Sequence, residues 1–295
     1  MSDLGHHAGG VVGFLKGIRH LVEKICPTQV FVVWEGGGSP RRRAIFPEYK
    51  GNRRPQRLNR FYGEDIPDTV ENRNYQISLL VEILKKTPVV QLYVSDCEAD
   101  DVIGYLSKYK LTDQRCVIVS SDKDFYQLID DRVTQWSPGQ KRFIDKTAVV
   151  KKFGIPTHNF CVARCFCGDS SDGIPGIKGA GFKTLSKRFP EITEDDDVSV
   201  EDILQLSLER SVNSKVKLFD RINDDPNTAR RNWKLMFLDM SNMSASQIKK
   251  INDVIDTFSP SRDKIGLMRV LIREGIKDFD SDTFCMVTYA ILGKI

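Results

Sequence analysis

Val89-Val-Gln-Leu-Tyr-Val-Ser-Asp-Cys-Glu-Ala-Asp-Asp-Val-Ile-Gly104 is the stretch that decides the fold. It begins as an apolar, β-branched run, Val89–Val94, which predicts a buried strand. It ends in a helix that starts at Asp101 and turns Val102, Ile103 and Leu106 inward. Three carboxylates, Glu98, Asp100 and Asp101, lie at the junction. The same order returns at Cys116-Val-Ile-Val-Ser120, a strand that leads to Asp122 and Asp124 and then to a short helix carrying Phe125, Leu128 and Ile129. Val30–Trp34 and Val133–Trp136 are two further strand candidates, and the spacing of Val11, Leu15, Ile18, Val22 and Ile25 predicts a helix over 10–25. Strands alternating with helices imply an α/β fold with a parallel sheet. Such sheets bind ligands at the carboxyl ends of their strands, where these acids fall.

A third acidic group, Asp169-Ser-Ser-Asp172, follows. Any one Asp pair is ordinary, because Asp at a helix start serves as a cap. Recurrence is not ordinary. Two carboxylates about 5–6 Å apart repel by about 3 kcal/mol at an effective dielectric near 20, so several gathered together need a cation. An oxygen-rich set without histidine suits Mg²⁺ or Mn²⁺ rather than zinc, and two such ions can clamp the attacking and leaving oxygens of a phosphodiester.

The 295 residues, 40% apolar and 28% charged, have a globular composition with room for one large domain or two ordinary ones. No run of eighteen apolar residues predicts a membrane span, and Met1–His7 lacks a signal-peptide pattern. Seven cysteines, mostly in apolar runs, read as reduced core residues in a cytoplasmic protein, Cys161, Cys165 and Cys167 lacking a nearby fourth zinc ligand. The net charge of +4 is unevenly spread: residues 41–60 hold seven Arg and one Lys against one Glu, a net +7 that leaves the rest at −3. A basic block beside an acidic metal site is what a nuclease needs, though a solvated loop could carry the same charges.

Beyond about residue 157 helices dominate, with patterns near 200–211, 227–240, 244–258, 261–274 and 281–292. A Gly-rich turn, Gly176-Ile-Lys-Gly-Ala-Gly-Phe-Lys-Thr184, opens one helix. Its glycines allow backbone N–H groups to approach a phosphate, and Lys178 and Lys183 add charge. A plain helical hairpin has the same pattern. Such a contact reads the backbone of a nucleic acid and not its bases. The Glu194–Asp197 run lacks a preceding strand and reads as a solvated loop.

Phe46-Pro-Glu-Tyr-Lys-Gly-Asn-Arg53, Glu98-Ala-Asp-Asp-Val-Ile-Gly104, Ser121-Asp-Lys-Asp124 and Gly168-Asp-Ser-Ser-Asp-Gly-Ile-Pro-Gly176 occur in this order. Together they closely resemble the structure-specific 5′ nucleases, over about residues 9–190. This family includes phage and bacterial 5′–3′ exonucleases, the 5′-nuclease domain of DNA polymerase I, and flap endonucleases. The resemblance implies a PIN-like α/β core over 1–156 with a helical arch or clamp at 48–75. It also implies a helical region over 157–295, with a helix–three-turn–helix motif at about 160–190. The implied activity is two-metal hydrolysis of flapped, nicked or free-ended DNA and of RNA·DNA primers, by a monomer in a bacterial or phage-infected cell, alongside replication proteins. By motif position, Glu98, Asp100 and Asp122 resemble the tighter metal set. Asp101, Asp124, Asp169 and Asp172 would hold the second ion directly or through water. Lys50 and Arg42 match the basic residues at the arch base, over the scissile phosphate. Arg41, Arg43, Arg53, Arg54, Lys178, Gly179, Gly181 and Lys183 are the expected nucleic-acid contacts, and the turn near Lys183 often holds a monovalent cation such as K⁺ in this family.

Two departures stand out. Glu35 occupies a metal-ligand position where the family usually has Asp; it keeps the charge and changes the reach. The family also opens with a strand ending in Asp-Gly, about thirty residues before the segment matching Gly9–Leu15, and this sequence shows no such strand. An N-terminal truncation is the favoured expectation, because the other carboxylates are intact. The alternative is a catalytically impaired relative that binds branched DNA.

Overall fold

The computed structural model describes residues 2, 5–51 and 70–292. In chain order its elements are α1 (Gly9–Ile25), β1 (Phe31–Trp34), α2 (Pro40–Ile45), α3 (Val70–Leu84), β2 (Val90–Tyr93), α4 (Ala99–Tyr105), β3 (Cys116–Val119), β4 (Val133–Ser137), β5 (Arg142–Ile144), α5 (Lys146–Phe153), α6 (Thr157–Cys167) and α7 (Phe182–Arg188). They continue with α8 (Val200–Val212), α9 (Lys217–Asp224), α10 (Pro226–Met236), α11 (Ala245–Asp256), α12 (Lys264–Arg273) and α13 (Ser281–Ile291). A 3₁₀ turn covers Asp124–Leu128. No described helix is long and apolar enough to cross a membrane.

These elements form two compact units. One contains α1, β1, α3, β2 and α11–α13. In it β1 and β2 pair in parallel, Phe31 opposite Val90 through Trp34 opposite Tyr93. Val11, Leu15, Ile18 and Val22 put the apolar stripe of α1 into a core shared with Leu80, Ile83, Leu267 and Phe284, the burial that a 3.6-residue period predicts.

The second unit contains α2, α4–α10 and β3–β5. Here β3 runs parallel to β4, Cys116 opposite Val133 through Val119 opposite Trp136. β5 adds antiparallel to β4, an edge strand of three residues, too short to leave a readable alternation. The sheet expected as one piece therefore appears as two, one in each unit. Among the described residues β1 pairs only with β2, and β3 only with β4. All five described strands lie before the sequence boundary at 156/157 and only helices follow it, but packing continues across it. Phe160 of α6 shares a core with Tyr126, Ile144 and Val149. That places the helix before the third acidic group against the turn that carries the second.

Three short helices escaped the sequence reading: α5, α9 and α2, the last inside the basic block. Ser39 caps α2, its hydroxyl accepting from the Arg42 N–H at 3.2 Å, with Pro40 in the first position, a standard helix-start pairing. The arch expected at 48–75 falls largely on 52–69, outside the described residues.

Candidate metal centre and its surroundings

All the described candidates belong to the second unit. Three strand and loop devices carry the acids. After β3, Gln135 of β4, wholly buried, donates to the carbonyls of Ser120 (2.6 Å) and Asp122 (2.8 Å) and pins that loop to the sheet. Asp122 in turn accepts from the Asp124 N–H at 3.0 Å. Glu98 stands at the start of α4, so Asp100 and Asp101 occupy its first turn. The third group sits on a tight loop closed by reciprocal Asp169–Ile174 backbone bonds of 2.8 and 2.7 Å.

The loop is possible only with glycine at its ends. A Cβ on Gly168, whose φ is +74°, would lie 2.3 Å from the Gly176 nitrogen, and one on Gly176 would lie 2.1 Å from the Cys167 carbonyl oxygen. This close approach delivers Asp169 and Asp172 to Asp124. Oxygens of these three carboxylates all lie within 4.8 Å of one another, the one such group among the described residues. An open cavity of about 310 Å³ lies alongside, lined by Ser121, Asp122, Lys123, Arg164, Asp169 and Ser171.

The electrostatics show a surplus of negative charge. Burial pushes the Asp100 carboxyl up to about 7, Asp122, Glu98 and Asp124 adding to it against the pull of Lys50. Burial also raises Asp124 to about 6, where Asp122, Asp169 and Asp172 oppose its ionisation and Arg164 favours it. Glu98 goes the other way. Its burial favours the neutral acid, but Lys50, Arg42 and a Tyr49 hydrogen bond hold it below the ordinary carboxylate value. Asp169 is likewise lowered, Ser171 and Arg164 outweighing its burial.

Lys50 reaches this group from a left-handed backbone position, φ +58°. Its N–H donates to the Asp172 carbonyl at 2.9 Å, and its Nζ lies 2.8 Å from Glu98 Oε1 and 3.9 Å from Asp172 Oδ2. It therefore sits among the acids, between Glu98 and Asp172.

Arg42 and Asp101 pair with each other. Helical spacing in α2 turns Arg41 and Arg43 outward, toward Asn242 and the Gly37 carbonyl, and turns Arg42 inward. Arg42 and Asp101, each 2% exposed, form a two-pronged ion pair at 2.5 and 2.7 Å. Nε of Arg42 donates to the Leu235 carbonyl at 2.7 Å. Burial works against the Arg42 charge, yet Asp101 outweighs it and keeps the guanidinium firmly protonated. Both Asp101 oxygens are committed to Arg42, and one also accepts from Asn242. The pair braces α2 against α4 and buries the Arg42 guanidinium against Asp101.

Glu35 is exposed, and its oxygens accept from the Gly38 N–H at 3.2 Å and from the Ala99 N–H of α4 at 3.5 Å. Lys178, Gly179, Gly181 and Lys183 are all exposed. Gly179 has φ +92°, and nothing lies within 4 Å of a Cβ built on Gly181. Arg53 and Arg54 lie outside the described residues.

Sequence reasoning missed two polar groups. Tyr49, 7% exposed, donates its hydroxyl to Glu98 Oε2 at 3.0 Å. Arg164, on an otherwise apolar stretch of α6, inserts between Asp124 and Asp169, its Nη2 donating to both and lying 2.6 Å from the latter. A charged residue inside a buried helix pattern was the available signal for Arg164.

A metal ion fits this donor set. Glu98, Asp100, Asp101, Asp122, Asp124, Asp169 and Asp172 are seven carboxylates, and three cations, Arg42, Lys50 and Arg164, form ion pairs with them among the described residues. Four charges remain, equal to two divalent cations.

The family model for the 5′–3′ exonuclease N-terminal resolvase-like domain matches residues 1–154. This chain belongs to the 5′–3′ exonuclease family. A 5′–3′ exonuclease of Buchnera aphidicola subsp. Schizaphis graminum is 30% identical over 224 residues, covering 74% of this chain and 72% of that one. A flap endonuclease Xni of Shewanella sp. (strain MR-4) is 33% identical over 162 residues, 55% of this chain and 57% of the relative. The match thus spans between 57% and 72% of these relatives' lengths. In fold, the chain is similar to the T5 D15 protein co-crystallized with metal ions, with TM-score 0.63, 22% identity, and coverage of 88% and 89% of the two chains.

Proposed function

We propose that the chain is a divalent-metal-dependent, structure-specific 5′ nuclease that hydrolyses phosphodiesters of flapped, nicked or RNA-primed DNA. The observation that carries this is the all-oxygen group Asp124, Asp169 and Asp172 within 4.8 Å, beside an Asp100 whose carboxyl is pushed up to about 7 by burial, with neighbouring negative charge adding to it. Glu98, Asp100 and Asp122 with Asp124, Asp169 and Asp172 would hold two ions, Mg²⁺ or Mn²⁺. Bound there, such ions supply activation of water and stabilisation of charge developing on the phosphate.

The chain's own residues do the rest. Arg42 and Tyr49 fix Glu98 through Oε2, which leaves Oε1 to the Lys50 ammonium. Lys50, 19% exposed at its side chain, can turn from Glu98 toward a phosphate that enters the site, neutralising it as charge builds. Arg41, Arg43, Lys178 and Lys183, all exposed, offer contacts to the phosphates of the duplex. The open space before Gly181 admits a backbone phosphate, with K⁺ a fitting companion in that turn. We place the protein in the cytoplasm of a bacterial or phage-infected cell, acting as a monomer beside replication proteins.

One observation favours a second reading, a branched-DNA-binding relative with impaired catalysis: three donors, from Arg42, Tyr49 and Lys50, already engage Glu98. Cleavage of a 5′-flap duplex in Mg²⁺ separates the two. The parent chain should cut, and Asp122→Asn or Lys50→Ala should slow cutting by about a hundredfold or more. Salt-dependent binding without turnover by the parent would favour the second reading, and undiminished cutting by Asp122→Asn would overturn the site.

A further inference from the structure

Arg164 has no part in the chemistry outlined so far, yet it pairs with two carboxylates of the acidic group. It is 7% exposed. Its Nη2 bridges Asp124 Oδ1 and Asp169 Oδ2, two of the three carboxylates that converge within 4.8 Å. Its Nε is buried and finds no partner among the described residues. A guanidinium that cannot lose its proton therefore stands where a divalent ion needs oxygens, and it is held there by the acids and not by a complete set of hydrogen bonds.

Two cations cannot share the same carboxylate oxygens without strong repulsion at this separation. An unmet buried donor also costs free energy for as long as the arrangement persists. The cavity beside Arg164, walled by Ser121, Lys123 and Ser171, gives the guanidinium room to withdraw.

We propose that Arg164 is a built-in competitor for the second divalent site: it bridges Asp124 and Asp169 when the site lacks an ion, and an ion enters only as the guanidinium releases at least one of them. Arg164 is thus a positioning residue that sets the metal requirement of the site. It keeps Asp124 and Asp169 gathered without metal and lowers the affinity for the weaker ion. The inference rests on the reading that Asp124, Asp169 and Asp172 hold a divalent cation.

The test is Mn²⁺ binding to the full chain without substrate, followed by the loss of the free-ion paramagnetic signal and by calorimetry. Arg164→Met removes the charge and keeps much of the apolar stem; Arg164→Lys keeps a cation. The Met variant should bind the weaker ion about tenfold more tightly than the parent, and the Lys variant should stay near the parent. Equal or weaker binding by Arg164→Met overturns the proposal, because the arginine would then be a brace and not a competitor. Absence of saturable Mn²⁺ binding by parent and variants alike overturns the metal-site reading beneath it, a result distinct from equal binding by both. Should Arg164→Met not fold, a parent crystal soaked in Mn²⁺ decides. An ion on Asp124 and Asp169 with Nη2 moved off one of them supports the exchange, and an ion there with both arginine contacts intact overturns it.

Discussion

Tyr49 shows how a single hydroxyl can govern a charged site. Its O–H and the Arg42 guanidinium both donate to Glu98 Oε2 at 3.0 Å, which fixes the carboxylate plane and turns Oε1 toward Lys50. Burial, reinforced by the Glu98 charge, pushes the ionisation of the phenol far above its ordinary value, so it stays a donor across the physiological range. Glu98 is only 3% exposed, and water cannot readily replace a lost partner. A hydrogen bond to a buried charge is worth about 1.5–3 kcal/mol. Tyr49→Phe keeps the ring in its core beside Ile177 and removes only the hydroxyl. Urea titration should show the unfolding free energy reduced by that amount; an unchanged midpoint and slope would mean that Glu98 does not depend on this donor.

At the scale of the element, the loop from Gly168 to Gly176 decides whether the third acidic group exists as a site at all. Its ends approach so closely that a methyl on Gly176 meets the Cys167 carbonyl at 2.1 Å, a backbone obstacle that no rotamer change relieves. Gly176→Ala should therefore cost about 1–3 kcal/mol and weaken Mn²⁺ binding by drawing Asp169 and Asp172 away from Asp124. Gly181→Ala is the control. Gly181 has φ −88° and open space around it, so thermal melts should stay within about 0.5 kcal/mol of the parent. Equal melts for the two variants would show that the loop is not held as described. The sequence already showed much of this level: the strand-to-acid junctions at Asp122 and Asp100, and the glycines of the loop, are local patterns. What it hid was pairing over distance. Arg42 sits between two outward arginines, and only the short helix capped by Ser39 turns it to Asp101, 59 residues away in sequence. Arg164 reads as an exception in an apolar helix until the fold supplies Asp124, 40 residues away. β5 and α9 were too short for their periodicity to rise above the surrounding turns.

For the whole molecule, the surplus of carboxylates makes folding depend on pH and on metal together. Asp100 and Asp124 ionise in the folded chain at about 7 and about 6, against an ordinary aspartate value of about 3.9. Between about pH 4 and pH 7 the folded metal-free chain therefore holds protons that the unfolded chain has released. When the native state binds more protons, stability falls as pH rises, so these groups add no penalty below about pH 4 and their full penalty above about pH 7. Divalent cations neutralise the same carboxylates without a proton, and any ligand that binds only the folded state stabilises it by mass action. With metal chelated, the melting temperature should fall from about pH 5 to about pH 8 as far as these two groups govern it. Added Mg²⁺ should raise it more at the higher pH, where it has no proton to displace. Asp124→Asn removes one of the repelling charges, so it should flatten the metal-free pH slope and shrink the Mg²⁺ increment together. A variant that flattened the slope but kept the full increment would place the ion elsewhere. An equal Mg²⁺ increment at both pH values in the parent would mean that the cation does not replace these protons.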